Sequence, residues 1–380
     1  MNFIEPRTVI LLASVMSGLM SLVLYSLKRN YPSSIKGLSE WSAALLVLFV
    51  AGLLVAGRGG LPDLVSISVS SFLLWCGLYL AYVGTQRFFG VKPRVAPWMI
   101  VISGLSLIQL WFNLVEPNYH VRMALTTVMT ACLTGVHAHV IVKQGSVTFS
   151  KALAVGVLAF IGAIQVVRLA SSFLFSFPAN TEFFGTSVIQ LIYVASFSFS
   201  VLLFSISTVL MATDRLRTEL EHLANHDSLT NALTRRQMDE ICRAELERCH
   251  RHGRSLALLM MDLDHFKSVN DSHGHQVGDR VLVNFVAKVS ALLRGPDHLG
   301  RFGGEEFMAL LPETTLDEAI SVAERIREVC AQADQAPYCT VSIGITTNRQ
   351  DSDTVETLMT RADTGLYRAK ANGRNRIETA

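Results

Sequence analysis

Charge is scarce in this 380-residue sequence. Asp, Glu, Lys and Arg make up 17% of it and hydrophobic residues 50%, whereas soluble domains carry about 25% charge. That composition excludes an ordinary water-soluble protein for at least part of the chain. Cysteine is scarce as well. Cys76, Cys132, Cys242, Cys249, Cys330 and Cys339 include no Cys-x-x-Cys pair, which excludes a zinc ribbon or a disulfide framework. Their expected role is that of small buried hydrophobes. Acidic residues are missing above all from positions 1–212, with 5 Asp/Glu beside 12 Lys/Arg, while residues 213–380 hold 26 beside 21. The overall +2 therefore averages a basic, oily region and an acidic, charge-rich one.

Seven apolar runs fill the oily region, each long enough to cross a hydrocarbon core of about 30 Å. They are Val9–Leu27, Trp41–Gly57, Leu64–Val83, Pro97–Val115, Val121–Val142, Ala152–Phe175 and Phe184–Met211. The first is too long for a cleavable signal peptide and has no small-residue cleavage site after it. Basic residues alternate between the connecting loops. Lys28, Arg29 and Lys36 follow span one, Arg87, Lys92 and Arg94 span three, Lys143 and Lys151 span five, and Arg215 and Arg217 span seven. The opposite loops hold only Arg58 and Arg122. By the positive-inside rule, the amino terminus is expected outside and the charge-rich region in the cytoplasm. The outer loops are too short for a separate extracellular sensor domain.

Within the spans, Arg168 is the notable charge, and such a residue is expected to face the bundle interior or a water-filled cavity. His137 and His139 lie two residues apart on one helix and do not share a face, so they do not by themselves form a metal site. Trp41 and Trp98 stand near span ends as interface anchors. No repeat or interrupted pair of spans points to a transporter. Residues 213–226 form a connector in which Leu216, Leu220 and Leu223 recur at coiled-coil spacing. The helix is expected to end before His226-Asp227-Ser228, where Asp and Ser favour caps and turns.

Residues 227–380 alternate helices and strands. Helices are expected at Arg236–His252, Val281–Leu293, Leu316–Ala331 and Val355–Lys370, and strands at Leu256–Met261, Leu299–Phe302, Phe307–Leu311 and Cys339–Thr346. The fold class is thus an α-helical membrane bundle of seven spans followed by an α/β domain with a mixed, largely antiparallel sheet flanked by helices. Asp262 and Asp264 end the first long strand, and Glu305 and Glu306 sit at the next hairpin. Carboxylates on adjacent strand tips suit Mg²⁺, which takes oxygen ligands together with substrate phosphates. Gly303 and Gly304 suggest a turn of unusual dihedrals that lets a nucleotide approach the backbone.

These motifs together resemble the GGDEF diguanylate cyclases, whose fold is related to nucleotide cyclases and polymerase palm domains. The resemblance covers about residues 226–380. It rests on Asp227-Ser228-Leu229-Thr230-Asn231-Ala232-Leu233-Thr234-Arg235-Arg236, on Asp262-Leu263-Asp264-His265-Phe266-Lys267 and on Asn270-Asp271-Ser272-His273-Gly274-His275-Gln276-Val277-Gly278-Asp279. It continues through Arg301-Phe302-Gly303-Gly304-Glu305-Glu306-Phe307, Val341-Ser342-Ile343-Gly344-Ile345 and Ala362-Asp363-Thr364-Gly365-Leu366-Tyr367-Arg368-Ala369-Lys370. Glu305 replaces the Asp of the family signature, and Asn231 and Thr234 replace a usual Gly and Asn. Asn tolerates left-handed geometry, so the turn is expected to form.

The resemblance implies condensation of two GTP molecules to cyclic di-GMP by a homodimer, in a protein embedded in the inner membrane, with no nucleic-acid partner. It implies that Asp262, the carbonyl of Leu263 and Glu305 hold Mg²⁺, or Mn²⁺ in its place. Glu305 would also help deprotonate the attacking 3′-hydroxyl, with Glu306 close by. Asn270 and Asp279 would read guanine, His275 would belong to the same pocket, and Lys267, Lys370 and Arg374 would neutralise the triphosphate. Arg294-Gly295-Pro296-Asp297 falls where the family binds its product as an inhibitor, with Arg325 as a further candidate there. The rival implication is a receptor that binds GTP or cyclic di-GMP without turnover, but such members usually lose the signature acids that this chain retains.

Overall fold

The structure, a computed structural model, describes residues 5–174, 188–332, 337–349 and 353–380. The chain divides into two compact units, Met1–Thr218 and Glu219–Ala380, and the division falls within one helix.

The first unit is helical. Its helices are α1 (Pro6–Asn30), α2 (Leu38–Ala56), α3 (Ser70–Phe88), α4 (Val95–Leu114), α5 (Tyr119–Val142), α6 (Phe149–Leu174) and α7 (Val188–Asn225), with a π-helical segment, Leu64–Val69, leading into α3. Among the described residues, seven helices are long and apolar enough to cross a membrane. They coincide with the seven expected runs, except that Phe175 and Phe184 lie outside the described residues. Leu22, Ile100, Leu107 and Val167 all point outward and are exposed. Large apolar side chains on the outer faces of a bundle suit lipid rather than water.

Inside, hydrogen bonds between side chains and backbone link neighbouring helices. The Ser21 hydroxyl donates to the Ser42 carbonyl at 2.7 Å, and Ser42 returns the bond to Ser21 at 2.9 Å, joining α1 to α2. Trp41 donates through Nε1 to Thr85 Oγ1, which lies 2.7 Å from His137 Nε2. His137 is buried and His139 exposed, so the two histidines do occupy different faces. α7 continues without a break to Asn225, the end expected for the connector helix.

The second unit is a six-stranded sheet with helices on both faces. In chain order it contains β1 (Leu233–Thr234), α8 (Arg235–His252), β2 (Leu256–Leu263), α9 (Phe266–His273), α10 (His275–Leu292), β3 (His298–Arg301), β4 (Glu306–Pro312), α11 (Leu316–Ala331), β5 (Val341–Thr347), α12 (Val355–Ala371) and β6 (Ile377–Thr379). The strand order is β1-β3-β4-β2-β5-β6. β1 and β6 pair parallel with β3 and β5, and the three inner pairings are antiparallel.

Every residue of β2 is buried, because alternate side chains enter two separate cores. Ala257, Leu259 and Met261 pack with Phe285 of α10 and Ile326 of α11, while Leu258 and Met260 pack with Met238 of α8 and Leu366 of α12. A strand covered on both faces reads as a continuous apolar run. The chain therefore emerges at the strand tip as its first polar residue, Asp262.

Cys242, Cys249, Cys330 and Cys339 are buried in this unit, as expected; Cys132, in the helical unit, is exposed instead. Burial pushes the Cys242 thiol up to about 12 and Cys330 up to about 11, which leaves both as unreactive thiols.

Candidate active site

Antiparallel register places Asp262 opposite Glu306 on β4 and opposite Ser342 on β5. The Leu263 amide donates to the Glu305 carbonyl at 3.2 Å, which ties the signature turn to the tip of β2. From the last turn of α12, Lys370 places Nζ 2.7 Å from Asp262 Oδ2. Three of the expected residues, Asp262, Glu305 and Lys370, therefore meet at one end of the sheet. Burial pushes the Asp262 carboxyl above its usual range; Lys370 pulls it back, and Glu306 and Asp264 push it further up. Burial likewise raises Glu305, with Asp262 and Glu306 adding to the rise against Lys370. Like charges held together in a half-buried place are the electrostatic condition that a divalent cation relieves.

No group of three metal-binding side chains occurs among the described residues. Two carboxylates with the Leu263 carbonyl still fit Mg²⁺, which is normally held by one or two carboxylates and completed by substrate phosphates.

Asp264 stands apart from this set. Only 3% exposed, it accepts hydrogen bonds from Thr340 Oγ1 and Ser342 Oγ, both at 2.7 Å, and from the Asn375 amide at 3.0 Å. Its oxygens are engaged by the protein itself, so the expected quartet of strand-tip carboxylates divides. Asp264 braces β5 and the loop after α12 rather than joining the acids at the tip.

The signature turn also differs from expectation. Neither Gly303 nor Gly304 has a positive φ. What Gly303 provides is room, because a Cβ there would stand 2.7 Å from Glu306 Oε2. Arg301 fixes the turn's shape. Its Nε donates to the Gly303 carbonyl at 3.1 Å, and its two terminal nitrogens reach the Gly304 carbonyl at 2.7 Å and Asp227 Oδ1 at 2.9 Å. Asp227 also accepts from the Thr230 amide and hydroxyl. Burial opposes ionisation of Asp227, but the Thr230 bonds and Arg301 outweigh it and hold the carboxyl below its ordinary range. Sequence reading missed this clamp, whose two ends lie 74 positions apart.

Of the expected nucleotide residues, Lys267 and Asn270 lie on α9, and His275 and Asp279 on the first two turns of α10. His265 in left-handed geometry starts α9, and Gly274 at φ 82° separates the two helices. A Cβ on Gly278 would come within 1.9 Å of Asn270 Oδ1, so the glycine lets the Asn270 amide lie against α10 beside Asp279. Lys267, His275 and Asp279 are exposed. Arg374 is exposed in the loop after α12, at φ 61°.

Arg294 and Asp297 form a tight turn just beyond α10. The Arg294 amide donates to Asp297 Oδ2 at 2.7 Å, and the Asp297 amide to the Arg294 carbonyl at 3.0 Å. Both line a cleft of about 200 Å³ with Asn231, Leu233, Val286 and Leu293. Arg325 is exposed on α11 and does not line that cleft. Asn231 adopts φ 59°, the left-handed turn expected of it, and Thr234 caps α8 by accepting from the Gln237 amide.

Residues 224–376 match the family model for the diguanylate cyclase GGDEF domain. The second unit is thus a mixed-sheet GGDEF domain joined to a helical region. Diguanylate cyclase DgcM of Escherichia coli K12 is 40% identical over 168 residues, covering 44% of this chain and 41% of DgcM. Response regulator PleD of Caulobacter vibrioides is 38% identical over 175 residues, covering 43% of this chain and 38% of PleD. The chain spans less than half the length of either relative. Among solved structures, the active GGEEF domain of a diguanylate cyclase from Vibrio cholerae is 32% identical, with 38% of this chain and 96% of that one covered and a TM-score of 0.37. The GGDEF domain of DgcB from Caulobacter crescentus, in complex with c-di-GMP, is 31% identical, with coverages of 41% and 93% and a TM-score of 0.39.

Proposed function

We propose that this protein is an inner-membrane diguanylate cyclase that condenses two GTP molecules to cyclic di-GMP and two pyrophosphates as a homodimer. The observation that carries the reading is the meeting of Asp262, Glu305 and Lys370 at the tip of β2, within a region that matches the cyclase family. In each half-reaction a 3′-oxygen attacks the α-phosphorus of the GTP held by the other subunit. The new P–O bond replaces the bond to pyrophosphate. Glu305, whose carboxyl is raised by burial and by its acidic neighbours, would receive the hydroxyl proton. Asp262, the Leu263 carbonyl and Glu305 would hold Mg²⁺, or Mn²⁺, which supplies charge neutralisation at the α-phosphate.

Asn270 and Asp279 read the guanine edge, because a carboxylate accepts from N1 and N2 hydrogens that adenine does not present together. His275 borders the base, and Lys267, Lys370 and Arg374 neutralise the triphosphate. The cleft at Arg294 and Asp297 is the proposed product site, where an Arg fork suits guanine O6 and N7; Arg325 would join it only from outside the cleft. The basic-loop pattern supports an orientation with the amino terminus outside and the GGDEF domain in the cytoplasm.

The deciding experiment supplies GTP and Mg²⁺ to the full-length protein in detergent, with dimerisation checked by light scattering and product read by chromatography. Wild type should form cyclic di-GMP and Glu305→Ala should not. A dimeric wild type that forms none, or a variant that forms as much, overturns the proposal. Arg294→Ala should remain active at product concentrations that silence wild type.

A further inference from the structure

All seven helices of the first unit contribute to the wall of a cavity of about 190 Å³. Arg58, Arg122 and Arg168 converge on it. Arg58 follows the end of α2, Arg122 lies in the first turn of α5, and Arg168 is near the end of α6, so three distant stretches of sequence supply the same charge. They are close enough that Arg122 and Arg168 both act electrostatically on Arg58, with Asp63 as an acid acting on Arg58 and Arg122. Arg168 stacks on Tyr193 of α7 with its guanidinium carbon 3.9 Å from the ring centroid, which orients the cation by its attraction to the ring face. Leu48, Leu74, Phe197 and Val201 give the cavity an apolar part.

A further polar group belongs to the same wall. Gln109 of α4 is 2% exposed and lines the cavity. Its Nε2 donates to Ser71 Oγ at 2.8 Å, while Oε1 has no hydrogen-bond partner among the described residues. A buried carbonyl oxygen at a cavity wall needs a donor from whatever fills the space. Guanidinium groups favour oxyanions, whose paired oxygens match the donor fork. An apolar pocket with a few convergent polar groups is the usual form of a small-molecule site.

We propose that this cavity binds an amphiphilic organic oxyanion, a carboxylate or phosphate ester with an apolar body and a hydroxyl donor, as the input ligand of the helical unit. The anion faces Arg58, Arg122 and Arg168, the hydroxyl serves Gln109, and the apolar body lies along Leu48 and Val201. On the topology proposed above, the arginines mark the end of the bundle away from the cytoplasm.

Calorimetry of the full-length protein in uncharged maltoside detergent, with 3-hydroxyoctanoate as the probe, tests the assignment independently of any cyclase activity. Binding should saturate and be at least about tenfold tighter than for 1,3-octanediol, its uncharged counterpart. Arg122→Gln should erase that preference and Gln109→Leu should weaken binding several-fold. Arg168→Gln serves if the first variant does not fold. Equal affinity for the diol, or undiminished affinity in a folded arginine variant, overturns the proposal. Competition by phosphatidylglycerol in nanodiscs, with phosphatidylcholine as the control, identifies a lipid phosphate as the natural oxyanion; absence of competition identifies a soluble one.

Discussion

At the end of β2, two carboxylates two residues apart meet opposite fates. Asp262 faces Glu306 and has Lys370 as its cation, and burial raises it. Asp264 receives three protein donors and braces β5 and the loop after α12. One region is held by its own hydrogen bonds, and the other keeps acids together whose repulsion nothing within the sheet fully offsets. A fold that satisfies every group on one side of a strand tip can hold the other side ready for a charged ligand. On the function proposed above, stability and chemistry fall to different residues of one motif.

The largest expected effect breaks that division from the chemical side. Glu305→Ala should lower cyclase turnover by about 10²- to 10⁴-fold, measured as product formed per subunit. Amide exchange in β2 and β4 should be unchanged or slower, since a repulsive charge is gone. Asp264→Ala should do the reverse. It leaves buried donors without an acceptor and should cost about 3 kcal/mol of stability, read as faster exchange of the β2 and β5 amides. An Asp264→Ala protein that loses activity with exchange intact would erase the distinction between the two acids.

A smaller effect tests the clamp. Asp227 is held below its ordinary 3.8 when folded, so its contribution is complete above 3.8 and is lost as pH falls through the lower folded value. Asp227→Asn should cost about 1 kcal/mol or less at neutral pH, discounted for partial exposure. Thermal unfolding curves of variant and wild type should converge in acid. The smallest effect belongs to Gly303→Ala. Its methyl would crowd closest against the far end of the Glu306 side chain, which can move aside, so the cost should be about 0.5 kcal/mol, with activity changing more than stability.

Much of this was legible in the sequence, for physical reasons that can be named. β2, β4 and β5 are apolar runs because both faces of the sheet are covered, and Gly253 ends α8 in the left-handed conformation. α9 was not foreseen, since eight residues around a binding motif give too little periodicity. The expected α10 began at Val281, yet its first two turns already contain His275 and Asp279. β1 and β6 are two and three residues long and exist only through pairing with distant strands. The division between Asp262 and Asp264 was hidden for the same reason, because Thr340, Ser342 and Asn375 lie 76 to 111 positions away.

The Arg301 clamp has a consequence for modularity. Because Arg301 grips the Gly303 and Gly304 carbonyls and Asp227 at once, the signature turn is physically continuous with the first residues after α7. A transplantable output module therefore begins no later than Asp227, although the first helix of the sheet region starts only at Arg235. A chimaera joined between those points would carry every expected catalytic side chain and still lose the tether that shapes their turn.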